Sequence, residues 1–140
     1  VVEATGPTLI TLRRLRSYGV HVGIDAFGTG FSSLTTLKYL PADVLKVDRS
    51  FVEGLGEDAN DSAIVGAVIQ VAHDLGCIVV AEGVELELQE SELLRMGCDL
   101  VQGYRYGRPV SAGEMSVLLQ RGVAQPIEVD LTEDLPTLTD

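Results

Sequence analysis

Four polar residues stand at the ends of apolar segments, where their side chains could bind a metal ion. They are Asp25, Asp48, Glu82 and Gln102. Any one of them could simply cap a following helix, but four in succession form the pattern of a carboxylate-lined site. Hard cations such as Mg²⁺ or Mn²⁺ prefer oxygen ligands of this kind. The sequence therefore predicts a metal site at these positions.

A lysine within one of the apolar segments adds to this pattern. Lys46 lies two residues before Asp48, so both side chains point to the same face of a strand. A lysine in an apolar strand is costly unless it is paired or functional. One explanation is an ion pair with Asp48, or across strands with Asp25 or Glu82. The other is a cation placed to hold a phosphate or a metal-bound water.

Alternating strands and helices are predicted to position these residues. The apolar, β-branched segments that predict strands are 20–25, 44–48, 77–82 and 100–102. The segments with helical character are 9–18, 32–40, 62–76, 88–96 and 112–120, and the third is expected to be capped by Asn60, Asp61 or Ser62. Strands that are nearly all apolar indicate a parallel sheet buried on both faces. Ligands of such sheets bind at the carboxyl ends of the strands, where the polar residues stand.

Length and composition limit the possible folds and partners. A closed (β/α)₈ barrel needs about 250 residues, so four units in 140 residues are about half of one, whereas a doubly wound open sheet fits this length. The net charge of −11 argues against binding to nucleic acid. Without a long apolar segment or a signal peptide, and with only Cys77 and Cys98 as free thiols, the sequence predicts a soluble cytoplasmic domain with no membrane segment.

The glycine-rich segment Gly28–Thr29–Gly30 has a rival interpretation. A GxG pattern after a strand, with an acid about 20 residues later, is part of the Rossmann dinucleotide fingerprint. Asp48 lies at that distance, but Ser33 stands where the third glycine belongs and Lys46 has no role in such a site. A Walker A loop is excluded because no GK[ST] follows.

Four motifs resemble those of a known family. DAFGTGFSSL, LKVDRSFV, VVAEGVE and VQGYRYGRP have the order and spacing of the carboxyl-terminal half of the EAL-domain cyclic di-GMP phosphodiesterases. The resemblance runs from about Leu12 to Leu119. It implies a TIM-like barrel, of which residues 1–123 hold the last four βα units, followed by an acidic tail at 124–140 that is predicted to be disordered. It also implies metal-dependent hydrolysis of cyclic di-GMP to linear pGpG with Mg²⁺ or Mn²⁺.

The same resemblance implies roles for individual residues. Asp25 matches a metal-binding Asp, and Ala26 replaces the second Asp of the family's DDFGTG motif. Lys46 matches the lysine near the metal-bound water and the scissile phosphate, and Asp48 matches its supporting carboxylate. Glu82 matches a glutamate of the metal and water cluster.

Three further matches concern the surroundings of the site. Glu85 matches a glutamate that supports the loops, and Gln102 matches the glutamine at the floor of the site. The segment 27–33, which includes Gly28, Thr29 and Gly30, corresponds to a loop that couples dimerisation to substrate and metal binding.

The chain also departs from the family pattern. The EAL triad, whose Glu binds metal, and the following Asn ligand are absent. Glu3 is either a remnant of another ligand strand or part of a loop before the first helix. We therefore expect a chain that is catalytically inactive alone, with a non-catalytic cyclic di-GMP-binding or protein-interaction module as the alternative. The missing half of the barrel would come from another polypeptide segment, or a homodimer would bury the open sheet edges.

Overall fold

The computed structural model describes residues 6–28 and 34–122. Four strands alternate with helices along these residues. The elements are α1 (Gly6–Ser17), β1 (Gly23–Phe27), α2 (Leu34–Tyr39), β2 (Val44–Val47), α3 (Arg49–Val52), α4 (Ala59–Asp74), β3 (Ile78–Glu82), α5 (Glu87–Arg95), β4 (Leu100–Gln102) and α6 (Ala112–Arg121). Glu3, Thr29, Gly30 and the predicted tail at 124–140 lie outside the described residues.

The strands form one parallel sheet with the order β1-β2-β3-β4. The predicted parallel α/β architecture is therefore confirmed. A sequential order is the order of strands around a barrel wall. The Rossmann alternative needs a point at which the strand order reverses, since its ligand binds there, and the described sheet contains no such point. That alternative is wrong.

One face of the sheet is buried and the other is open. The side chains of Leu45, Val47, Val79 and Ala81 are at most 2% exposed, and they pack beneath the helices. On the opposite face, Ile78 is 49% and Leu100 is 55% exposed. The expectation of a sheet buried on both faces is wrong for the described residues, because α3 and α4 both contact β3 and their buried side chains share one core with Val79 and Ala81. In a closed barrel the open face would line the interior.

Strand β1 contains a bulge that the sequence did not predict. Ile24 pairs with Leu45 and Phe27 pairs with Val47, so two residues of β1 oppose Lys46 alone. These two residues are Asp25 and Ala26. Ala26 adopts a left-handed backbone conformation, with φ of 51°. The extra residue returns Phe27 to the core, where it is 6% exposed, and the strand ends at Phe27 instead of Asp25.

The helices differ from the prediction chiefly at α1, which begins at Gly6 instead of residue 9, and at α3 and α4. Helix α4 begins at Ala59 and is capped by Asp58, whose Oδ1 accepts a hydrogen bond from the amide of Asn60 at 2.7 Å. The predicted caps at 60–62 therefore lie inside the helix. The short helix α3 was not predicted. Cys77 and Cys98 are free thiols, as expected, and no described helix has the length and apolar character needed to cross a membrane.

Candidate functional site

Lys46 lies at the centre of the group of predicted site residues. Its Nζ donates to Oδ1 of Asp25 at 3.1 Å and also to a carboxylate oxygen of Glu82. The hydrogen bond to Glu82, and then that to Asp25, raises the pKa of Lys46. The ion pair that is one explanation for a lysine in an apolar strand is thus present, and it brings two candidate metal ligands to one ammonium group.

The geometry of the sheet explains why these three side chains meet. Lys46 pairs with Val80, and Glu82 lies two residues further along the same face of β3. The bulge in β1 places Asp25 opposite Lys46 on that face. All three side chains project from the open face of the sheet, close to the carboxyl ends of the strands.

Gln102 lies beside Glu82 at the same edge of the sheet. The two residues are register partners at the ends of β3 and β4. Residues that face each other across adjacent strands have neighbouring side chains. The structure therefore brings Asp25, Lys46, Glu82 and Gln102 along one edge, and it places Gln102 where a ligand held by Glu82 could reach it.

Asp48 lies near this group but its side chain is used locally. Its Oδ1 accepts hydrogen bonds from the amide of Ser50 at 3.0 Å and from the hydroxyl of Ser50 at 2.7 Å. Asp48 is the N-cap of α3, and these bonds, the hydroxyl first, lower the pKa of its carboxyl. Its role as a support for Lys46 stays a prediction.

Glu85 lies in the loop that follows β3 and contacts α3, and its role as a support for the loops of the site stays a prediction. Its carboxylate pairs with Nη1 of Arg49 at 3.2 Å. Arg49 passes close to Gly83, where a Cβ atom would lie 2.4 Å from Cγ of Arg49.

The buried Oε1 of Gln89 accepts from the amides of Glu85 at 2.9 Å and of Leu86 at 3.0 Å. Sequence reasoning missed Arg49 and Gln89; a Gln three residues after the N-cap of a helix, here Leu86, is the signal that could have identified the latter.

Gly28 is required for packing. It has a φ of 112°, and a Cβ atom there would lie 2.0 Å from the ring of Phe51. Phe51, Gly28 and Phe27 also line an apolar pocket of about 320 Å³ on the helix side of the sheet. None of the described residues that line the pocket is charged, so these residues do not suit a nucleotide phosphate.

The donor set around Lys46 meets part of the needs of a divalent cation. Asp25 and Glu82 offer carboxylate oxygens and Gln102 offers an amide oxygen, all of which suit Mg²⁺ or Mn²⁺. Among residues 6–28 and 34–122, no group of three or more His, Cys, Asp or Glu side chains gathers closely enough to hold a metal ion. The described residues thus fit one part of such a site.

Comparison with known proteins identifies the family. The sequence profile of the EAL domain family matches residues 2–109. The bifunctional diguanylate cyclase/cyclic di-GMP phosphodiesterase MucR of Pseudomonas aeruginosa is 46% identical over 108 residues, which are 77% of this chain and 16% of MucR.

Solved structures show the same similarity. The EAL domain of Mycobacterium smegmatis DcpA superposes with a TM-score of 0.81 at 48% identity, over 87% of this chain and 54% of that one. The cyclic di-GMP complex of the MucR phosphodiesterase gives a TM-score of 0.71 at 46% identity, over 78% and 44%. The manganese and cyclic di-GMP complex of Klebsiella pneumoniae BlrP1 gives 0.69 at 36% identity, over 74% and 26%. This chain spans about half of the DcpA domain and less of the other proteins. It belongs to the EAL domain family.

Proposed function

We propose that this chain carries the carboxyl-terminal part of a cyclic di-GMP site, in which Lys46 contacts a phosphate and Asp25 and Glu82 bind a divalent cation. The observation that carries the proposal is the contact of Lys46 with both carboxylates at the carboxyl edge of parallel strands. Membership of a family that includes the cyclic di-GMP complexes of MucR and BlrP1 supports the choice of ligand.

The charge of the chain makes this lysine important for an anionic ligand. The net charge is −11, so a phosphodiester needs a local cation to offset the field. A lysine has three N–H donors, and in the described residues two of them point to Asp25 and Glu82. The third can donate to a phosphate oxygen.

A divalent cation would bind between the two carboxylates and Gln102. When bound, it would lower the pKa of a water molecule and polarise the phosphoryl group. Lys46 would hold the phosphate beside it, and Gln102 would orient the ligand from the end of β4. Whether the ion is Mg²⁺ or Mn²⁺ is decided by titration with each.

Hydrolysis requires more ligands than these residues supply. The side chain of Ala26 offers no oxygen ligand in place of the family's second Asp, and the described residues gather no group of three His, Cys, Asp or Glu ligands. We therefore propose that the chain is inactive unless another segment, such as the first half of an EAL barrel or a second copy, completes the site. The homodimer and the cytoplasmic location stay predictions.

Two measurements on the purified chain test this proposal. Calorimetry with cyclic di-GMP and Ca²⁺ is expected to show binding in the wild type that Lys46→Met abolishes; no heat with the wild type would refute the proposed site. Incubation with cyclic di-GMP and Mn²⁺ is expected to yield no pGpG.

We expect no turnover from Ala26→Asp either, because one added carboxylate does not complete the ligand set; strong turnover would contradict this account.

The second candidate is a module that binds cyclic di-GMP or a protein without cleaving the nucleotide. The loss of a metal ligand at Ala26 favours it, since binding through Lys46 does not need the second metal. Supplying the first half of a related EAL barrel in trans separates the two candidates. Restored formation of pGpG would favour a completed phosphodiesterase, and binding without product would favour the non-catalytic module.

A further inference from the structure

A cluster of three side chains joins α5 to the loop that follows β4. The hydroxyl of Tyr106 donates to Oε1 of Glu90 at 2.5 Å, and Nε of Arg105 donates to Oε2 at 2.5 Å. The side chains of Arg105 and Glu90 are 16% and 28% exposed. Both oxygens of one helix carboxylate are therefore bonded to the same loop.

The loop that follows β4 packs closely against the loop that follows β3. The amide of Val84 donates to the carbonyl of Gln102 at 3.0 Å, and the amide of Arg105 donates to the carbonyl of Val84 at 3.2 Å. Gly103 lies against Val84, and a Cβ atom at Gly103 would be 2.0 Å from the carbonyl oxygen of Val84. Anything that fixes Arg105 thus also fixes Gln102 relative to the loop that follows Glu82.

Adjacent residues of α5 hold the two loops. The side chain of Gln89 is buried and accepts from the amides of Glu85 and Leu86, in the loop after β3. The next residue, Glu90, accepts from the loop after β4. Helix α5 thereby links the two strand ends that carry Glu82 and Gln102.

The contacts of Glu90 differ from an ordinary pair on a helix surface. The same helix carries Glu92, which pairs with Arg95 at 2.6 Å, three residues along the helix. Glu90 instead bonds to residues 15 and 16 positions away. Exposed pairs within a helix contribute little to stability, whereas a pair between distant segments determines how they lie relative to each other.

We propose that Glu90 is a positioning residue for the candidate site, which holds the loop after β4 so that Gln102 stays beside Glu82. What the site binds rests on the function proposed above. The positioning can be measured without any ligand, so the two can fail separately.

The first test uses Glu90→Gln, with Glu92→Gln on the same helix as the matched control. The cluster contains one of the four tyrosines, and the chain has no tryptophan, so the titration of Tyr106 is obtained from tyrosinate absorbance as the difference between each protein and the same protein carrying Tyr106→Phe. Burial and the bond to Glu90 raise the pKa of Tyr106 to about 12. In Glu90→Gln we expect this value to fall by about half a unit or more, and in Glu92→Gln to stay unchanged. Equal titrations in both variants would show that the cluster does not form.

The second test measures whether the loop moves. Hydrogen exchange at the amides of Arg105 and Val84 is expected to be about 10-fold faster in Glu90→Gln, which corresponds to about 1.4 kcal/mol. Tyr106→Phe, which removes one of the two bonds, is expected to give a smaller increase. Glu92→Gln should match the wild type. Unchanged exchange in both cluster variants would overturn the proposal.

The third test connects the loop to the ligand. With Ca²⁺ present, the affinity for cyclic di-GMP is expected to be about 10-fold weaker in Glu90→Gln and within twofold of the wild type in Glu92→Gln. Faster exchange with an unchanged affinity would overturn the role in the site. A wild-type chain that binds no cyclic di-GMP would refute the proposed function, and the exchange rates would still decide whether Glu90 holds the loop.

Discussion

The two edges of the sheet use the same residue types in opposite ways. At the amino-terminal edge, Oδ2 of Asp43 accepts from the amide of Val22 at 2.8 Å, and its Oδ1 pairs with Arg16 at 2.6 Å. Oδ2 of Asp99 likewise accepts from the amide of Val79 and from Nε2 of His73, each at 2.8 Å. Each carboxylate thus joins a backbone amide, that of Val22 just before β1 or that of Val79 in β3, to a basic side chain of an earlier helix.

At the carboxyl-terminal edge the carboxylates face a shared lysine instead. Asp25 and Glu82 both contact Lys46. Oδ1 of Asp25 also accepts from the adjacent amide of Ala26 at 3.1 Å, and the side chain of Asp25 is 75% exposed. The residue Val79 is buried and Val22 is partly buried, and an amide removed from water needs its acceptor, so the aspartates of the amino-terminal edge are committed to the fold. The carboxylates around Lys46 keep lone pairs that a metal ion can use. The partners of a carboxylate, more than its position at a strand end, distinguish a structural role from a binding role.

The largest expected difference between the edges is in ligand affinity. Lys46→Met is expected to weaken cyclic di-GMP binding about 100-fold or more, because the phosphate loses its cation and two carboxylates remain. Arg16→Met removes the matching cation from the amino-terminal edge and is expected to leave the affinity within twofold. Calorimetry with Ca²⁺ measures both. Equal losses would mean that Lys46 acts through the fold.

The second difference between the edges is in the free energy of unfolding, and here the larger effect is expected at the amino-terminal edge. Asp99→Ala leaves the amide of Val79, which is fully buried, without its acceptor, and we expect the free energy of unfolding to fall by about 1–2 kcal/mol. Asp25→Ala removes an exposed carboxylate and is expected to change it by about 0.5 kcal/mol or less. Urea unfolding of the two variants gives the comparison. A larger cost at Asp25 than at Asp99 would contradict it.

The third difference concerns pH. The amide of Val79, and then His73, hold the pKa of Asp99 below its usual range. A carboxyl whose pKa is depressed in the folded state stabilises it above the unfolded value of about 3.8, and this contribution is lost as the pH falls through the folded value. The wild type is therefore expected to lose more stability than Asp99→Asn between pH 5 and pH 3. Because Asp99 is 39% exposed, screening limits the difference to under about 1 kcal/mol.

Unfolding by urea at both pH values checks this prediction. Several other carboxyls also have depressed pKa values, among them Glu90, Glu92 and Asp48. Only the difference between the wild type and Asp99→Asn isolates Asp99, since those groups titrate in both proteins. Parallel losses in the two proteins would show that this carboxyl does not stabilise the fold.

The sequence predicted the carboxyl-terminal edge better than the rest of the molecule. Apolar strands that end in Asp, Glu or Gln can be recognised from a few consecutive residues, so the sheet and the neighbours of Lys46 could be predicted. The bulge in β1 could not, because it depends on pairing with β2, which places Phe27 in the core. Nor could local sequence show that Asp48 would cap a four-residue helix.

The amino-terminal edge was missed for a related reason. Asp43 precedes β2 and Asp99 precedes β4. At these positions the sequence has no alternation of polar and apolar residues from which a contact could be predicted. Their partners, Val22 and Val79, are 21 and 20 residues away, so the contacts exist only once the sheet forms. Whether the second face of the sheet is exposed depends likewise on what packs against it, and the composition of the strands alone does not show this.

The smallest predicted effect concerns backbone strain, which is expected to differ between two alanines, one at each edge of the sheet. Ala26 at the carboxyl-terminal edge has a φ of 51°. Ala26→Gly relieves about 1–2 kcal/mol of left-handed strain, while the freer unfolded chain costs about 0.5–1 kcal/mol. We expect a net gain of about 0.5 kcal/mol in the free energy of unfolding and an unchanged affinity for cyclic di-GMP.

Ala42, at the amino-terminal edge, is the matched control for this change. It is 9% exposed, and among the described non-glycine residues only Ala26 has a positive φ. Ala42→Gly therefore removes a packed methyl group without relieving strain, and is expected to cost about 1 kcal/mol. Opposite signs in urea unfolding would show that the bulge which presents Asp25 is held against a local backbone preference. A loss of stability in both variants would mean that Ala26 is not strained, and that the bulge needs no support from the core contacts of Phe27.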